Sequence, residues 1–325
     1  MNTFGRIFRI HIFGESHGNF VGLTVDGCPP GIPIKIEDFK EDLLRRKSGA
    51  KGTTPRQEDD IPEIINGVHK NFSTGAPITI LFKNKNTRSS DYDFKHHPRP
   101  GHADFVASEK YKSFNDDRGG GHFSGRLTLG LVAAGVIAKK IIPEIKITAK
   151  LIEAGGQTNI SEVVDEAVKN GNSVGGIIEC SAKNVPVGLG EPFFDSVESL
   201  ISHAVFSIPG IKGIEFGSGF NAAKMKGSEH NDLIIDNNGK TKTNNSGGIN
   251  GGITNGNEIL FRTVVKPTSS IAIQQETFNF TSGKTEPLKI KGRHDACFAL
   301  RVPVIIEAVT ACVLADLNMI NKTWI

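Results

Sequence analysis

The chain has 325 residues, of which 38 are Lys or Arg and 35 Asp or Glu, for a net charge of +3. Charged residues make up 22% and hydrophobic ones 38%, the balance of a chain that folds around a core and not of a disordered one. So small a net charge gives no ground for nucleic acid as a partner, no uninterrupted apolar run reaches the length of a membrane span, and the first eight residues carry no signal-peptide core. The four cysteines, Cys28, Cys180, Cys297 and Cys312, lie far apart with no C-x-x-C pair, and read as reduced thiols of a cytoplasmic protein. In chain order, hydrophobic periodicity predicts strands at 7–13 and 22–25, a helix at 36–47, a strand at 78–82, and helices at 105–114 and 124–142. A strand at 145–151, a helix at 162–169, a strand at 176–180 and a helix at 197–206 follow. Strands at 211–216, 259–265 and 271–274 lead to a closing helix at 302–320. Asp104 and Ser161 are N-cap residue types, and Gly171 stands where a C′ glycine belongs. The 124–142 segment, with Leu127, Leu131, Ala134, Ile137 and Ala138 on overlapping faces, is apolar nearly all round, which predicts burial between layers. Strands arrive in succession instead of alternating strictly with helices. The expected fold is therefore α+β, with largely antiparallel sheets around buried helices. No internal repeat or low-complexity linker divides it, so residues 1–325 read as a single domain.

Two motifs invite misreading. Gly14-Glu15-Ser16-His17-Gly18 matches the G-x-S-x-G elbow of serine hydrolases. An elbow needs a helix after its turn, whereas the residues from Gly18 to Gly27 are Gly-rich and alternating, so a second strand follows and the turn holds up His17. Gly217-Ser218-Gly219-Phe220-Asn221-Ala222 imitates a dinucleotide fingerprint, but Asn231-Asp232 follows too soon for the long helix that fold requires. His96-His97 has no further ligand at suitable spacing and reads as a solvated loop, not a metal site.

The polar candidates are arginines and histidines. Any one of Arg45, Arg46, Arg56, Arg99, Arg126 and Arg293 is by default a solvated surface charge. Arg126 escapes that default by its place, in the first turn of the most apolar helix just after three glycines, where a helix N-terminus attracts anions. A lone histidine is by default a structural hydrogen-bonder, yet the near-neutral pKa of His17 and His102 also suits proton transfer. Residues 244–252, rich in Asn and Gly, read by themselves as a turn.

Six blocks in order carry a resemblance. They are Gly14-Glu15-Ser16-His17-Gly18 with Asp26-Gly27-Cys28-Pro29; Arg99-Pro100-Gly101-His102-Ala103-Asp104; and Gly119-Gly120-Gly121-His122-Phe123-Ser124-Gly125-Arg126-Leu127-Thr128. Gly188-Leu189-Gly190-Glu191-Pro192, Lys266-Pro267-Thr268-Ser269-Ser270, and Gly292-Arg293-His294-Asp295-Ala296-Cys297 with downstream Glu307 complete them. Spanning nearly the whole chain, they resemble the signatures of the chorismate synthase family. That resemblance implies a β–α–β sandwich assembled as a homotetramer. It implies a lyase that removes phosphate from 5-enolpyruvylshikimate 3-phosphate by anti-1,4-elimination to give chorismate, the last common step of aromatic amino acid biosynthesis. The implied cofactor is reduced FMN, used without net redox change and supplied by a separate flavin reductase or an external reductant, with NADP as an associated nucleotide; neither nucleic acid nor membrane is involved.

Site residues follow from the same resemblance. His102 is assigned to protonation of reduced flavin and His17 to the departing phosphate. Asp295 assists C–H cleavage, pairs with Arg293, or does both. Arg46, Arg99, Ser124, Arg126 and Arg293 are implied for the substrate. Arg46, His122, Phe123, Ser124, Asn245, Ser246, Gly251, Lys266, Pro267, Thr268, Ser269, Ser270 and Arg293 are implied for flavin. His122 stands where many relatives have arginine, and touches flavin or nothing. Some positions depart from the family pattern. After Arg45-Arg46-Lys47-Ser48-Gly49-Ala50-Lys51-Gly52 a later arginine is missing, and Lys51 lacks the fork to replace it fully; Ala296 replaces a common proline, and the end at Ile325 is early. The rivals are a serine hydrolase at Ser16 and an anion- or RNA-binding module built on the arginines, the latter without the aromatic platforms single strands require.

Overall fold

The computed structural model describes residues 2–55, 58–85, 94–290 and 294–323. The first third of the chain forms β1 (Thr3–Phe4), β2 (Arg9–Gly14), β3 (Phe20–Asp26), α1 (Lys40–Arg46), β4 (Glu63–Asn66), the short β5 (Val68–His69) and β6 (Phe72–Ser73), and β7 (Ile78–Lys83). An antiparallel five-stranded sheet joins β1-β2-β3-β7-β4 in that order. Along β7 the residues Ile78, Ile80 and Phe82 alternate into the core at the period of two that a pleated strand imposes. There follow α2 (Asp104–Lys110), α3 (Thr128–Ile141), β8 (Lys146–Ala154), α4 (Ile160–Lys169), β9 (Gly176–Lys183), α5 (Val197–Phe206), β10 (Ile211–Phe216) and α6 (Gly227–His230). Then come β11 (Ile249–Asn250), β12 (Ile253–Thr254), β13 (Ile259–Val265), the hairpin of β14 (Gln275–Asn279) and β15 (Lys284–Leu288), and α7 (Pro303–Asn321). A second antiparallel sheet has the order β10-β13-β9-β8.

Between the sheets lie α3 and α7. On one side α3 packs against β2 and β3; on the other, α7 packs against β8, β9 and α5. The two helices meet so closely that a Cβ on Gly135 would run into the Cα and Cβ of Ala308. This is the expected α+β arrangement of antiparallel sheets around buried helices. By length and composition α7 could cross a bilayer, but 83% of its apolar window is buried inside the fold. Its two buried carboxylates are satisfied there. Asp316 accepts the backbone N–H groups of Arg6, Ile7 and Phe8 at 2.7–2.9 Å, and Glu307 accepts both Nη1 and Nη2 of Arg45 at 2.7 Å.

Several local expectations change. The helix expected over 36–47 is a 3-10 turn, Ile36–Phe39, running into α1, and the one over 124–142 begins as a 3-10 turn, Gly125–Leu127, before α3. The strand expected at 271–274 is instead irregular chain, because the residues that find a partner strand are Gln275–Asn279, opposite β15. Asp104 is not the N-cap of α2; Ala103 holds that position, and the carboxylate turns back to Arg99. Likewise Asn159, not Ser161, precedes α4, while Gly171 follows it with φ +62° as a C′ glycine should.

Candidate active site

A cavity of about 760 Å³ opens where the glycine-rich turns before α3, the end of α1, the loop after β13 and the approach to α7 converge. Its volume falls within the roughly 300–1,000 Å³ typical of ligand pockets. Arg46, His102, His122, Phe123, Ser124 and Arg126 line it, as do all five residues from Lys266 to Ser270, and Asp295. Residues from five separate sequence blocks thus share one wall.

Two of these arginines are bound to one carboxylate. The Arg46 Nε donates to Thr128 Oγ1 at 3.0 Å and its Nη2 to the Gly125 carbonyl at 3.0 Å, while Nη1 lies 3.4 Å from Asp60 Oδ2. The other oxygen of Asp60 accepts from Arg126 Nη1 at 2.8 Å; Arg126 Nε donates to Asn84 and Nη2 to the Lys83 carbonyl at 3.3 Å. A guanidinium carries five N–H groups, so with three engaged by the described residues each arginine has two that none of those residues takes. Burial, reinforced by Arg301 and Arg126, pushes the Arg46 pKa down against the opposing pull of Asp60 and Asp295. Arg46, Arg126, Lys212, Lys266 and Arg301 line the wall against Glu58, Asp60 and Asp295, so it holds more positive charge than its own carboxylates offset, the condition for binding an anion. The Arg126 N–H donates to Ser124 Oγ at 3.3 Å, which caps the 3-10 turn rather than α3 itself.

Asp295 accepts the Thr54 backbone N–H at 2.9 Å and Arg301 Nη2 at 2.7 Å. Among the described residues its charged partner is Arg301; the pairing expected with Arg293 falls, like Arg56, outside them. Lys51 points away from the cavity and pairs with Asp165 at 2.6 Å, so it does not stand in for the missing arginine.

The two histidines flank consecutive glycines. Gly119, Gly120 and Gly121 have φ of +61°, +85° and +51°, a left-handed path that side chains disfavour. A Cβ on Gly119 would stand 2.5 Å from His17 Nε2, and one on Gly120 would stand 3.6 Å from His102 Cε1. Gly119 and His102 line the cavity, whereas His17 sits buried just behind Gly119. Ser16 is fully buried in the turn between β2 and β3, which removes the exposed nucleophile a hydrolase would need.

Arg99 does not line the cavity. Its Nε and Nη2 donate to the two oxygens of Asp104 at 2.8 and 2.7 Å, and Nη1 donates to Ser270 Oγ at 3.1 Å. Its place is behind the wall, holding Ser270 and Asp104. Burial alone would raise the Asp104 carboxyl, but hydrogen bonds from Arg99 and His102 overcome it and hold the group well below the usual carboxylate range. His122 donates from Nδ1 to the Gly14 carbonyl at 2.8 Å, and its Nε2 faces the Asn2 side-chain amide, 3.1 Å from Oδ1. Lys266 Nζ donates to the Gly101 carbonyl at 2.9 Å; burial and Lys212 lower its pKa.

Asn245, Ser246 and Gly251 lie elsewhere. Asn245 and Ser246 donate their backbone N–H groups to Asp232 at 2.8 and 2.9 Å, and the Asn245 carbonyl accepts from Ser218, just past the end of β10. Ile211 and Lys212, which line the cavity, begin that strand. Five rises of about 3.3 Å put roughly 16 Å between the two ends of this six-residue strand.

Sequence reasoning missed Asp60, Arg301 and His294, all in the cavity wall. Arg301 did leave a signal, as a single charge within the apolar run around 296–306. Asp60 left none, since it stands in an acidic Glu58-Asp59-Asp60 run that belongs to no motif. Two buried polar atoms in the wall, Thr268 Oγ1 and His294 Nε2, have no hydrogen-bond partner among the described residues. Burial, then the charge of Arg99, depresses the His294 pKa against the opposing pull of Asp295.

Residues 8–319 match the family model of chorismate synthase. The chain is 61% identical over 324 residues to a chorismate synthase of Chitinophaga pinensis, covering 99% of this chain and 98% of that protein. It is 44% identical to one from Korarchaeum cryptofilum, over 97% of this chain and 96% of that protein. A crystal structure of a chorismate synthase superposes with a TM-score of 0.75 at 26% identity, covering 98% of this chain and 93% of the other.

Proposed function

The chain belongs to the chorismate synthase family and is an enzyme of that lyase class, and from this premise we propose that the cavity beside Arg46 and Arg126 is its active site. The observation that carries the reading is the pair of buried arginines sharing Asp60, with N–H groups left over toward the cavity. The substrate, 5-enolpyruvylshikimate 3-phosphate, brings a phosphate and two carboxylates. Planar, permanently charged forks suit such groups.

Arg46 and Arg126 bind the substrate's anionic groups, and Ser124 supports Arg126. His17 gives a proton to the departing phosphate from behind Gly119. His102 holds a proton on the other side of the same glycine pair, for the reduced flavin. Asp295, oriented by Arg301 and the Thr54 amide, assists removal of the ring proton. The wall also fits reduced FMN: Thr268 Oγ1 and His294 Nε2 offer unfilled hydrogen-bonding capacity, Lys266 a cation, and Phe123 an apolar face. When bound, reduced FMN lends electron density as the allylic phosphate leaves and recovers it afterwards, so no net redox change results. The protein's part is to orient the rings, neutralise the anions and exclude water.

Asn245, Ser246 and Gly251 reach flavin in this reading only if a neighbouring copy brings them, which accords with a homotetramer of single-domain chains. The exposed Phe193 and Phe194, 87% and 92% accessible, are apolar surface available for such an assembly. The enzyme works in the cytoplasm with reduced flavin from a separate reductase or an external reductant. An anaerobic assay with dithionite-reduced FMN and the enolpyruvyl phosphate tests the reading, with phosphate release and diene absorbance rising together. Neither signal from folded protein would overturn it. Flavin fluorescence supplies a second check: FMN should bind more tightly with substrate present, because substrate closes the site over the ring.

A further inference from the structure

We propose that Asp104 is a positioning residue that fixes the tautomer of His102, so that Nδ1 carries the ring proton and Nε2 is the nitrogen free to exchange one at the cavity. Asp104 has the sequence character of a helix cap, yet it caps nothing: Ala103 takes the N-cap position, and the carboxylate folds back over the 99–102 turn. There its Oδ1 lies 2.6 Å from His102 Nδ1. At that separation a bare ring nitrogen and a carboxylate oxygen, both acceptors, would repel, so a proton belongs between them.

A competing donor stands nearby. Arg99 Nη2 is 3.0 Å from the same Nδ1, and if the ring accepted from it the proton would move to Nε2. Arg99 Nη2 carries two N–H groups and gives one to Asp104 Oδ1, so its second can face the ring; the carboxylate contact is nevertheless the shorter, 2.6 against 3.0 Å, and two bare acceptors would not approach so closely. Arg99 Nε, Nη1 and Nη2 already donate to Asp104 Oδ2, Ser270 Oγ and Asp104 Oδ1. Against burial, the two donations to Asp104, with the hydrogen bond from His102, hold its carboxyl, 11% exposed, well below the usual carboxylate range and so ionised and a constant acceptor. The opposite edge of the ring, Cε1 and Nε2, lies against Gly120, where a Cβ would come within 3.6–3.7 Å. Other charges around His102 are Lys266, which reaches the Gly101 carbonyl from the end of β13, and Lys95, Asp116 and Asp117 across a second cavity of about 140 Å³. A carboxylate behind a histidine that fixes its tautomer is a recurrent device in proton-transfer sites.

The functional consequence rests on the reading of His102 as proton donor, and the test separates the two claims. The full-length chain is labelled with ¹⁵N-histidine, and the His102 ring signals are assigned by their loss in His102→Gln. Wild-type protein at a pH where the ring is neutral should show the Nδ1–H tautomer. In Asp104→Asn the signals should shift toward Nε2–H, with kcat falling about 10²-fold or more and KM changing little; Asp104→Glu should restore part of both. An Nε2–H tautomer in the wild type overturns the proposal outright, whether or not any variant folds. An unmoved tautomer in folded Asp104→Asn overturns it as well. If the wild type shows Nδ1–H but His102→Ala keeps full turnover, the tautomer assignment is supported and the proton-donor reading alone fails.

Discussion

Replacing Arg126 tests the anion site most directly. Three of its five N–H groups are engaged by Asp60, Asn84 and the Lys83 carbonyl, and no other described residue takes the remaining two, which the proposed reading gives to substrate. A hydrogen bond to a charged group contributes about 1.5–3 kcal/mol, and removing one side of a buried charge pair costs about 2–5 kcal/mol. Arg126→Ala should therefore lower kcat/KM about 30- to 4,000-fold. Arg126→Lys keeps the charge without the fork and should fall between that and wild type. Among the described residues the alanine variant also leaves Asp60, 7% exposed, only the 3.4 Å contact to Arg46, so stability should drop by about 3–5 kcal/mol. Adding Asp60→Asn removes the stranded carboxylate and should recover much of that stability without recovering activity. The assay is anaerobic steady-state kinetics with reduced FMN, paired with urea denaturation of each variant. A folded Arg126→Ala enzyme with unchanged kcat and KM would refute the assignment, and a double variant that regains activity along with stability would show that the arginine acts only on folding.

Gly119→Ala adds a Cβ 2.5 Å from His17 Nε2 at a φ of +61°; turnover should fall by up to about 10²-fold through displacement of His17, and normal turnover in folded protein would contradict that placement. His17→Ala and His102→Ala should each reduce kcat about 10²–10⁴-fold with near-wild-type circular dichroism; full activity in both would remove the proton-transfer roles. Gly135→Val forces side-chain volume between α3 and α7 and should cost at least about 1–3 kcal/mol, read as a lowered Tm, whereas an unchanged Tm would mean the two helices separate easily. The Asp104 carboxyl has its folded pKa depressed, so its stabilising effect is present above the unfolded value of about 3.9 and is lost as the pH falls through the folded one. Asp104→Asn should accordingly show a smaller stability loss than wild type between pH 6 and pH 2 in denaturant titrations, and equal losses would count against it.

Much of the fold was legible because it rests on local periodicity. The alternation of Ile78, Ile80 and Phe82 marks β7, and the all-round apolar character of 128–141 and 303–321 marks the two helices that lie between the sheets. The turn carrying His17 was legible too, since Gly18 to Gly27 could form a strand but not an elbow helix. The 119–125 glycine block and the Lys-Pro-Thr-Ser-Ser run marked stretches of cavity wall, because close backbone approach and clustered hydroxyls leave a compositional trace, whereas the glycines of 188–192 and 244–252 lie outside it.

Partnerships between distant residues left no such trace. Nothing near Asp60 foretells that it bridges Arg46 and Arg126, which are 14 and 66 residues away; only the packing of α1 against α3 brings the three together. Arg301 reaches Asp295 because the 3-10 turn before α7 aims that guanidinium back at it, a contact no sequence motif marked. Asp104 had the right residue type for a helix cap, but a buried arginine beside it offers a carboxylate more than a backbone N–H does, so tertiary charge overrode local preference. The separation of Asn245 from the cavity was likewise decided by the length of β10. Periodicity and turn chemistry act over a few residues and can be read in order along a chain, whereas ion pairs and cavity walls depend on which distant segments the core brings into contact.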